Sequence, residues 1–398
     1  MTVTAEDVAA ARERIADVAR PTPVLPSATL TDQLGAPVGL KAENLQRTGS
    51  FKVRGAANKV SALGSRCAAG VVAGSAGNHA QALAHAARAR GVPCEVFMPQ
   101  SAPLSKIEGA EALGAKVTVG GESVLECLAA ATARAEEAGM TVVHPFDDPD
   151  VIAGQGTLGL ELLDAVPDLT KVVVPIGGGG LASGVAVAVK SARPEIEVVG
   201  VQVETCAPFA GQAPDAARTL TIADGIAVKR PGRITLPLVQ QWVDGVVTVS
   251  EDEVAEAIVL LMERAKQVVE GAGAVGVAAL MAGKTGPAAD GTTVAILSGG
   301  NVDAGLLAEV ARRHETEMGR RLVVLTRISD RPGALARLLS VVGEEGANLI
   351  EVQHVREGLD NHVRETAVQL ILETRGRDHA DAVLEAMRGD GYAARVLR

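Results

Sequence analysis

Short runs of β-branched apolar residues alternate with longer alanine-rich stretches of helical period along most of the chain. GVVAGS (70–75) is followed by HAQALAHAARARG (79–91), PCEVFMP (93–99), SKIEGAEALGA (105–115) and KVTVG (116–120). The alternation continues through TVVHP (141–145), KVVVPIGGGG (171–180), LASGVAVAVKSA (181–192), EVVGVQVE (197–204) and TVAILSGG (293–300). Continuously apolar strands separated by helices predict an α/β fold, with parallel sheets covered on both faces and right-handed crossovers. Such sheets bind ligands beyond the carboxyl ends of their strands. GSAGN, GGGG and SGGN all fall at such ends, which predicts one shared site.

The pattern changes near Gly319. RLVVLTR, PGALARLLSVVGEEG, ANLIEVQHV, ETAVQLILET, HADAVLEAMRG and YAARVLR read as strand, helix, strand, strand, helix, strand. That is the ferredoxin-like βαββαβ plan. Residues 315–320 read as a polar linker and 321–398 as a small separate domain, with Asp330 placed to cap its first helix and Pro332 in that helix's first turn.

Composition narrows the function classes. A net charge of −10 with dispersed basic residues, and an aromatic content of 2%, leave neither the electrostatic footprint nor the stacking platforms of a nucleic-acid binder. The N-terminal MTVTAEDVAAARERIADVA reads as a capped amphipathic helix rather than a signal peptide, and no apolar run is long enough to span a membrane. Cys67, Cys94, Cys127 and Cys206 lack metal or disulfide spacing, so the expectation is a cytoplasmic protein with reduced, mostly buried thiols and no metal site.

Two stretches carry candidate chemistry. Gly177, Gly178, Gly179 and Gly180 join a buried strand to a helix, where bare backbone N–H groups form an anion cradle suited to a phosphate. Neither GxGxxG nor a P-loop is met: Ala182, Ser183 and Ala278 stand where glycines are required. Lys52, in RTGSFKVRGAANK (47–59), follows Phe51 and precedes Arg54, and both neighbours are expected to disfavour its charged form. A phosphate cradle together with a reactive lysine suggests pyridoxal 5′-phosphate held as a Schiff base.

SFKVRGA (50–56), SAGNHAQ (75–81), TIADGIAVKRPG (221–232), EGAGA (270–274) and SGGN (298–301) together resemble the threonine/serine ammonia-lyase branch of the tryptophan-synthase-β-like (fold type II) pyridoxal-phosphate enzymes. The resemblance covers about residues 5–315. It implies a large cofactor-binding lobe from 1–46 and 146–314 and a small α/β lobe from 47–145. DRPGAL (330–335) in its βαββαβ setting resembles an ACT domain, an amino-acid-sensing module. By this resemblance Lys52 anchors the cofactor and takes the Cα proton, Phe51 covers its ring and Asn78 meets the ring's 3-oxygen. Gly177–Gly180 hold the phosphate, which acts as acid toward the departing hydroxyl, and Ser298 faces the pyridine nitrogen. Ser75, Ala76, Gly77, Asn78 and His79 grip the substrate carboxylate, and Glu270 is placed either beside the ring or as a mere helix-start carboxylate. A neutral hydroxyl at Ser298 does not keep the pyridine nitrogen protonated, which favours β-elimination over transamination. The implied reaction is deamination of L-threonine to 2-oxobutyrate, with leakage to L-serine. The implied setting is a homo-oligomer of isoleucine biosynthesis with an amino-acid effector near Gly333 and Asn348.

Serine racemases resemble the chain too, but carry a second serine where Ala76 stands. Weak racemisation is therefore expected, with serine racemase and 3-hydroxyaspartate ammonia-lyase as alternatives and an amino-acid sensor with a vestigial site as a different class. Racemase-type relatives place an acidic residue a few positions after a glutamate to bind a divalent ion; by that resemblance Glu204, with no carboxylate following until Asp215, disfavours a divalent site and leaves open a monovalent one held by Glu204 and carbonyls. His79 reads as positioning the phosphate or the loop, or equally as a structural residue, His85 and His144 as framework, His354 and His362 as part of the C-terminal hairpin, and Asp147 and Asp148 as a turn.

Overall fold

The computed structural model describes residues 2–75, 77–212, 221–356 and 362–397. The chain divides into two units, Met1–Asp303 and Ala304–Arg398. The first contains two sheets. The larger has six strands in the spatial order Val24–Pro26, Val38–Ala42, Thr292–Leu297, Leu169–Pro175, Glu197–Val203 and Gly245–Val249, parallel throughout except for the first pair. The smaller is wholly parallel, in the order Lys116–Val119, Cys94–Met98, Val71–Gly74 and Thr141–Val142. Central strands such as Val172–Val174 are fully buried, as continuous apolar runs require. Three strands fall outside the apolar-run pattern, for physical reasons. Val38–Ala42 carries the buried Lys41 within it, Val24–Pro26 is short, and Gly245–Val249 is a half-buried edge.

The helix Pro149–Ala165 ties the site's supports together through small residues. A Cβ on its Gly154 would lie 2.6 Å from the carbonyl oxygen of Arg54, in the helix Lys52–Leu63. A Cβ on Gly184, in the helix Gly180–Ala192, would lie 3.0 Å from the Cα of Gly156. Only side-chain-free positions allow backbones this close.

Beneath the Lys52 helix lies a buried ionic cluster. Arg54 donates through Nε and Nη2 to Glu43 (2.9 and 2.8 Å) and through Nη1 and Nη2 to Glu161 (2.6 and 2.9 Å). Lys41 Nζ adds a 2.6 Å bond to Glu161, and the Thr22 hydroxyl donates to Glu43. Burial acts to lower the pKa of Arg54, but Glu43 and Glu161 outweigh it and hold the guanidinium above its ordinary value.

The second unit begins with the helix Ala304–Glu317, which takes up the first residues of the stretch read as a linker, and turns at Gly319 (φ 67°). Its antiparallel sheet runs Asn348–Val355, Glu365–Glu373, Arg321–Ser329, Arg395–Val396. Ala334–Glu344 and Arg377–Gly389 pack on it through Leu338, Val342, Val383 and Met387, giving the βαββαβ order. Asp330 does not cap the first of these helices. Its carboxylate pairs with Arg356 (2.9 Å), Pro332 precedes the helix, and Gly333 (φ 85°) occupies the N-cap position.

Among the described residues no helix is long and apolar enough to cross a membrane, and no three His, Cys, Asp or Glu side chains converge as a metal group would need. All four cysteines are free and buried.

Candidate active site

Lys52 opens its helix, and the residues before it are pinned to the SGGN turn. Phe51 N–H donates to the Ser298 carbonyl (3.0 Å), and Ser50 forms a bridge with Gly299. The Lys52 Nζ donates to the Pro145 carbonyl (2.9 Å) and lies 5.2 Å from the Phe51 ring centre. Part of this side chain reaches solvent, yet the amine is deep enough for loss of hydration to lower its pKa to about 8, against the opposing pull of Glu270. Arg54, expected to contribute to that lowering, does not. Its charge is spent on Glu43 and Glu161, and dehydration of the amine does the work instead.

A relay of amides orients the facing wall. Asn301 Nδ2 donates to the Thr48 carbonyl and to Asn78 Oδ1 (both 2.8 Å), and Asn78 Nδ2 donates to Glu270 Oε1 (2.7 Å). Glu270 stands at the N-cap position of the helix Gly271–Met281, but its side chain caps nothing and turns to Asn78. Burial, reinforced by the charge of Asp224, raises its pKa to about 7, with Lys106, Asn78 and Lys52 opposing. Ser298 is buried, its hydroxyl donating to the Ala272 carbonyl (3.4 Å).

Each glycine of the 177–180 run has a steric reason to be one. Gly177 faces the backbone of Ile226, Gly178 and Gly180 lie against Phe146, and Gly179 takes φ 93° beside Thr235. Asp147 accepts from the N–H groups of Arg233, Ile234 and Thr235, and the Thr235 hydroxyl then donates to the Gly178 carbonyl (2.6 Å). Asp147 and Asp148 are thus more than a turn, since Asp148 caps the helix Pro149–Ala165. The feature that fits a phosphate is different: the amides of Gly177, Gly178 and Gly179 donate to no group among the described residues.

The third wall is the 75–79 loop. Ser75 N–H donates to the Phe97 carbonyl, and Ser75 Oγ accepts from Gly77 N–H (3.3 Å). Ala76 lies outside the described residues. His79 is buried, with Nε2 2.8 Å from the Val143 carbonyl; dehydration, then the charge of Lys52, lowers its pKa to about 3, so it stays neutral. Lys52, Phe51, Asn78, Gly177–Gly180, Ser298, Gly77 and Glu270 therefore all belong to the first unit. Gly333 and Asn348 belong to the second, where Asn348 Nδ2 donates to Glu373 (3.0 Å). Glu204 is exposed. Pro145, Phe146, Thr235 and a Lys106–Asp224 ion pair were not identified from the sequence. Phe146, one of four phenylalanines in 398 residues, offered the one usable signal.

A dehydrated amine, a carboxyl whose pKa burial raises to about 7 and unpaired glycine amides equip this site for covalent amine chemistry on an anionic cofactor. The family model described as pyridoxal-phosphate dependent enzyme matches residues 15–299. The L-threonine ammonia-lyase of Thermotoga maritima is 44% identical over 402 residues, spanning 99% of this chain and 100% of that one. Among solved structures, the T.th. threonine deaminase is 43% identical, with a TM-score of 0.69 over 75% of this chain and 99% of its own. Maize serine racemase is 34% identical, with a TM-score of 0.73 over 80% and 99%.

Proposed function

Since the chain belongs to the pyridoxal-phosphate dependent enzyme family, we propose that it is an L-threonine ammonia-lyase that converts threonine to 2-oxobutyrate and ammonia and, more slowly, serine to pyruvate. The observation that carries this reading is the end-to-end match to the Thermotoga maritima enzyme, the C-terminal unit included. When bound, pyridoxal phosphate supplies an electron sink that acidifies the Cα–H bond of an amino acid. The chain's own residues do the rest. Lys52, with its amine brought to about 8, holds the cofactor and moves the Cα proton. The amides of Gly177–Gly179 and the N-terminus of the Gly180–Ala192 helix receive the phosphate. Phe51 covers the ring, and Ser298 offers a neutral hydroxyl to its nitrogen. Asn78, held by Asn301 and Glu270, presents its amide to the ring oxygen. Ser75, Gly77, Asn78 and His79 gather around the substrate carboxylate, with His79 contributing no charge.

In this reading the second unit is an ACT domain that binds an amino acid near Gly333 and Asn348. Ile350 (58% exposed) and Val352, on the edge strand Asn348–Val355, offer apolar surface for pairing with a second copy. Ala76, in place of the racemase serine, keeps elimination ahead of racemisation.

The test is 2-oxo acid release by the cofactor-loaded protein from L-threonine, L-serine and threo-3-hydroxyaspartate, with and without isoleucine. 2-Oxobutyrate formation, lost in Lys52→Ala with the fold retained, is expected, as is a change of rate on adding isoleucine. Pyruvate without 2-oxobutyrate, or D-serine outpacing pyruvate, overturns the assignment.

A further inference from the structure

Lys106, on the helix Leu104–Ala112, lies against Gly77. A Cβ on Gly77 would come within 3.1 Å of its Cδ and 3.3 Å of its Nζ. The ammonium pairs across the cleft with Asp224 Oδ2 at 2.8 Å. Asp224 belongs to the 221–232 segment, and next to it a Cβ on Gly225 would lie 3.4 Å from Glu270 Oε1. The pair therefore links the Gly77 side of the site to the Gly225–Glu270 side, and both charges act on Glu270.

The two partners are unequally placed. The Lys106 side chain is 12% exposed and that of Asp224 58%. A largely dehydrated cation is thus matched with a carboxylate that keeps most of its water, a pairing worth little in itself. The cleft offers this cation a better partner. A carboxylate resting on the Gly77 backbone would meet Lys106 in a drier setting, where a charge-assisted hydrogen bond is stronger. The other donors around such a carboxylate bring no charge, since His79 is neutral and Lys52 is committed to the cofactor, so Lys106 is the cation on hand.

We propose that Lys106 receives the α-carboxylate of the amino-acid substrate and that Asp224 is its internal competitor, holding the ammonium in place until substrate displaces it. The proposal rests on the ammonia-lyase reading above. It assigns the two members of one ion pair opposite effects on substrate affinity, whereas a purely structural latch would give them the same effect.

The experiment uses the cofactor-loaded full chain and compares wild type, Lys106→Met, Lys106→Arg and Asp224→Asn. Two readouts are taken: KM and kcat for L-threonine, and calorimetric binding of L-alanine, which has the carboxylate but no β-hydroxyl. Loss of a charge-assisted hydrogen bond predicts a rise in KM of roughly 10- to 100-fold for Lys106→Met, with the loss falling on KM rather than kcat. Lys106→Arg is expected to recover most of that loss. Asp224→Asn is expected to lower KM by about two- to fivefold, the size of an exposed ion pair. L-Alanine affinity should follow the same order. An unchanged KM and alanine affinity in Lys106→Met overturns the proposal, as does a rise in KM for both Lys106→Met and Asp224→Asn. Wild type that binds L-alanine but forms no 2-oxobutyrate sinks the ammonia-lyase reading instead, and the alanine series still decides the role of Lys106.

Discussion

Replacing Arg54 with methionine keeps an unbranched apolar stem, shorter by two heavy-atom positions, and removes the charge from a cluster in which Glu161 alone is partly exposed (14%). In the native cluster two cations, Arg54 and Lys41, balance two carboxylates, Glu43 and Glu161. Arg54 alone supplies four hydrogen bonds to those carboxylates. After the substitution Glu43, which has no exposed surface, keeps only the Thr22 hydroxyl from its former partners, and the cluster carries a net charge of −1. Breaking a buried pair by removing one partner costs about 3–5 kcal/mol, a large share of the 5–15 kcal/mol that holds a typical domain together. The assay is urea unfolding followed through Trp242, the single tryptophan, which is half-buried against the core of the first unit and reports that unit. Protein concentration is held fixed so that association does not enter. The double variant Arg54→Met/Glu43→Gln, which restores neutrality, is expected to regain roughly half the loss. A single-variant loss under about 1 kcal/mol, or a double variant no better than the single one, would refute the picture of a cluster bound by charge balance.

Other perturbations separate local effects. Lys266 is the one non-glycine residue with positive φ (56°) among the described residues, just after the π-helical turn Leu261–Ala265; Lys266→Gly should stabilise the unit by about 0.5–1 kcal/mol in the same urea assay, left-handed strain outweighing the entropy of glycine. For Glu270 the folded pKa of about 7 lies above its ordinary 4.5, so the folded state binds more protons between those values and this group's contribution to stability falls as pH rises from 4.5 to 7. Glu270→Gln should accordingly raise the urea midpoint more at pH 8 than at pH 5, and an equal change at both would contradict the raised pKa. Gly184→Ala should destabilise by about 1–3 kcal/mol, since its methyl meets the backbone of Gly156; thermal denaturation with no shift would place the helices further apart than the structure does.

Much of this was legible in the chain because a parallel sheet writes itself as uninterrupted apolar strands and its ligand turns as glycine clusters. Val71–Gly74, Leu169–Pro175 and Thr292–Leu297 show both features. What stayed hidden depends on partners distant in sequence. Lys41 breaks the apolar pattern of its strand because Glu161, 120 positions away, neutralises it. Asp330 looks like a cap from its neighbours, but Arg356, 26 positions on, takes its carboxylate. The lowered pKa of Lys52 was foreseen while its cause was misassigned, since a sequence places Arg54 two residues away without showing that its guanidinium turns to a different charge. The Lys106–Asp224 bridge joins elements 118 positions apart and leaves no local trace.

The helix Pro149–Ala165 meets the Lys52 helix on one flank and the glycine-run helix on the other through Gly154 and Gly156, atoms of main chain against atoms of main chain. The spacing between the Lys52 helix and the Gly177–Gly180 run is therefore set by main-chain contact rather than by side-chain volume. Side chains of the surrounding core and the neighbouring loops can change over evolutionary time while the gauge between the Lys52 helix and the glycine-run helix holds. Those glycines are where such drift would stop.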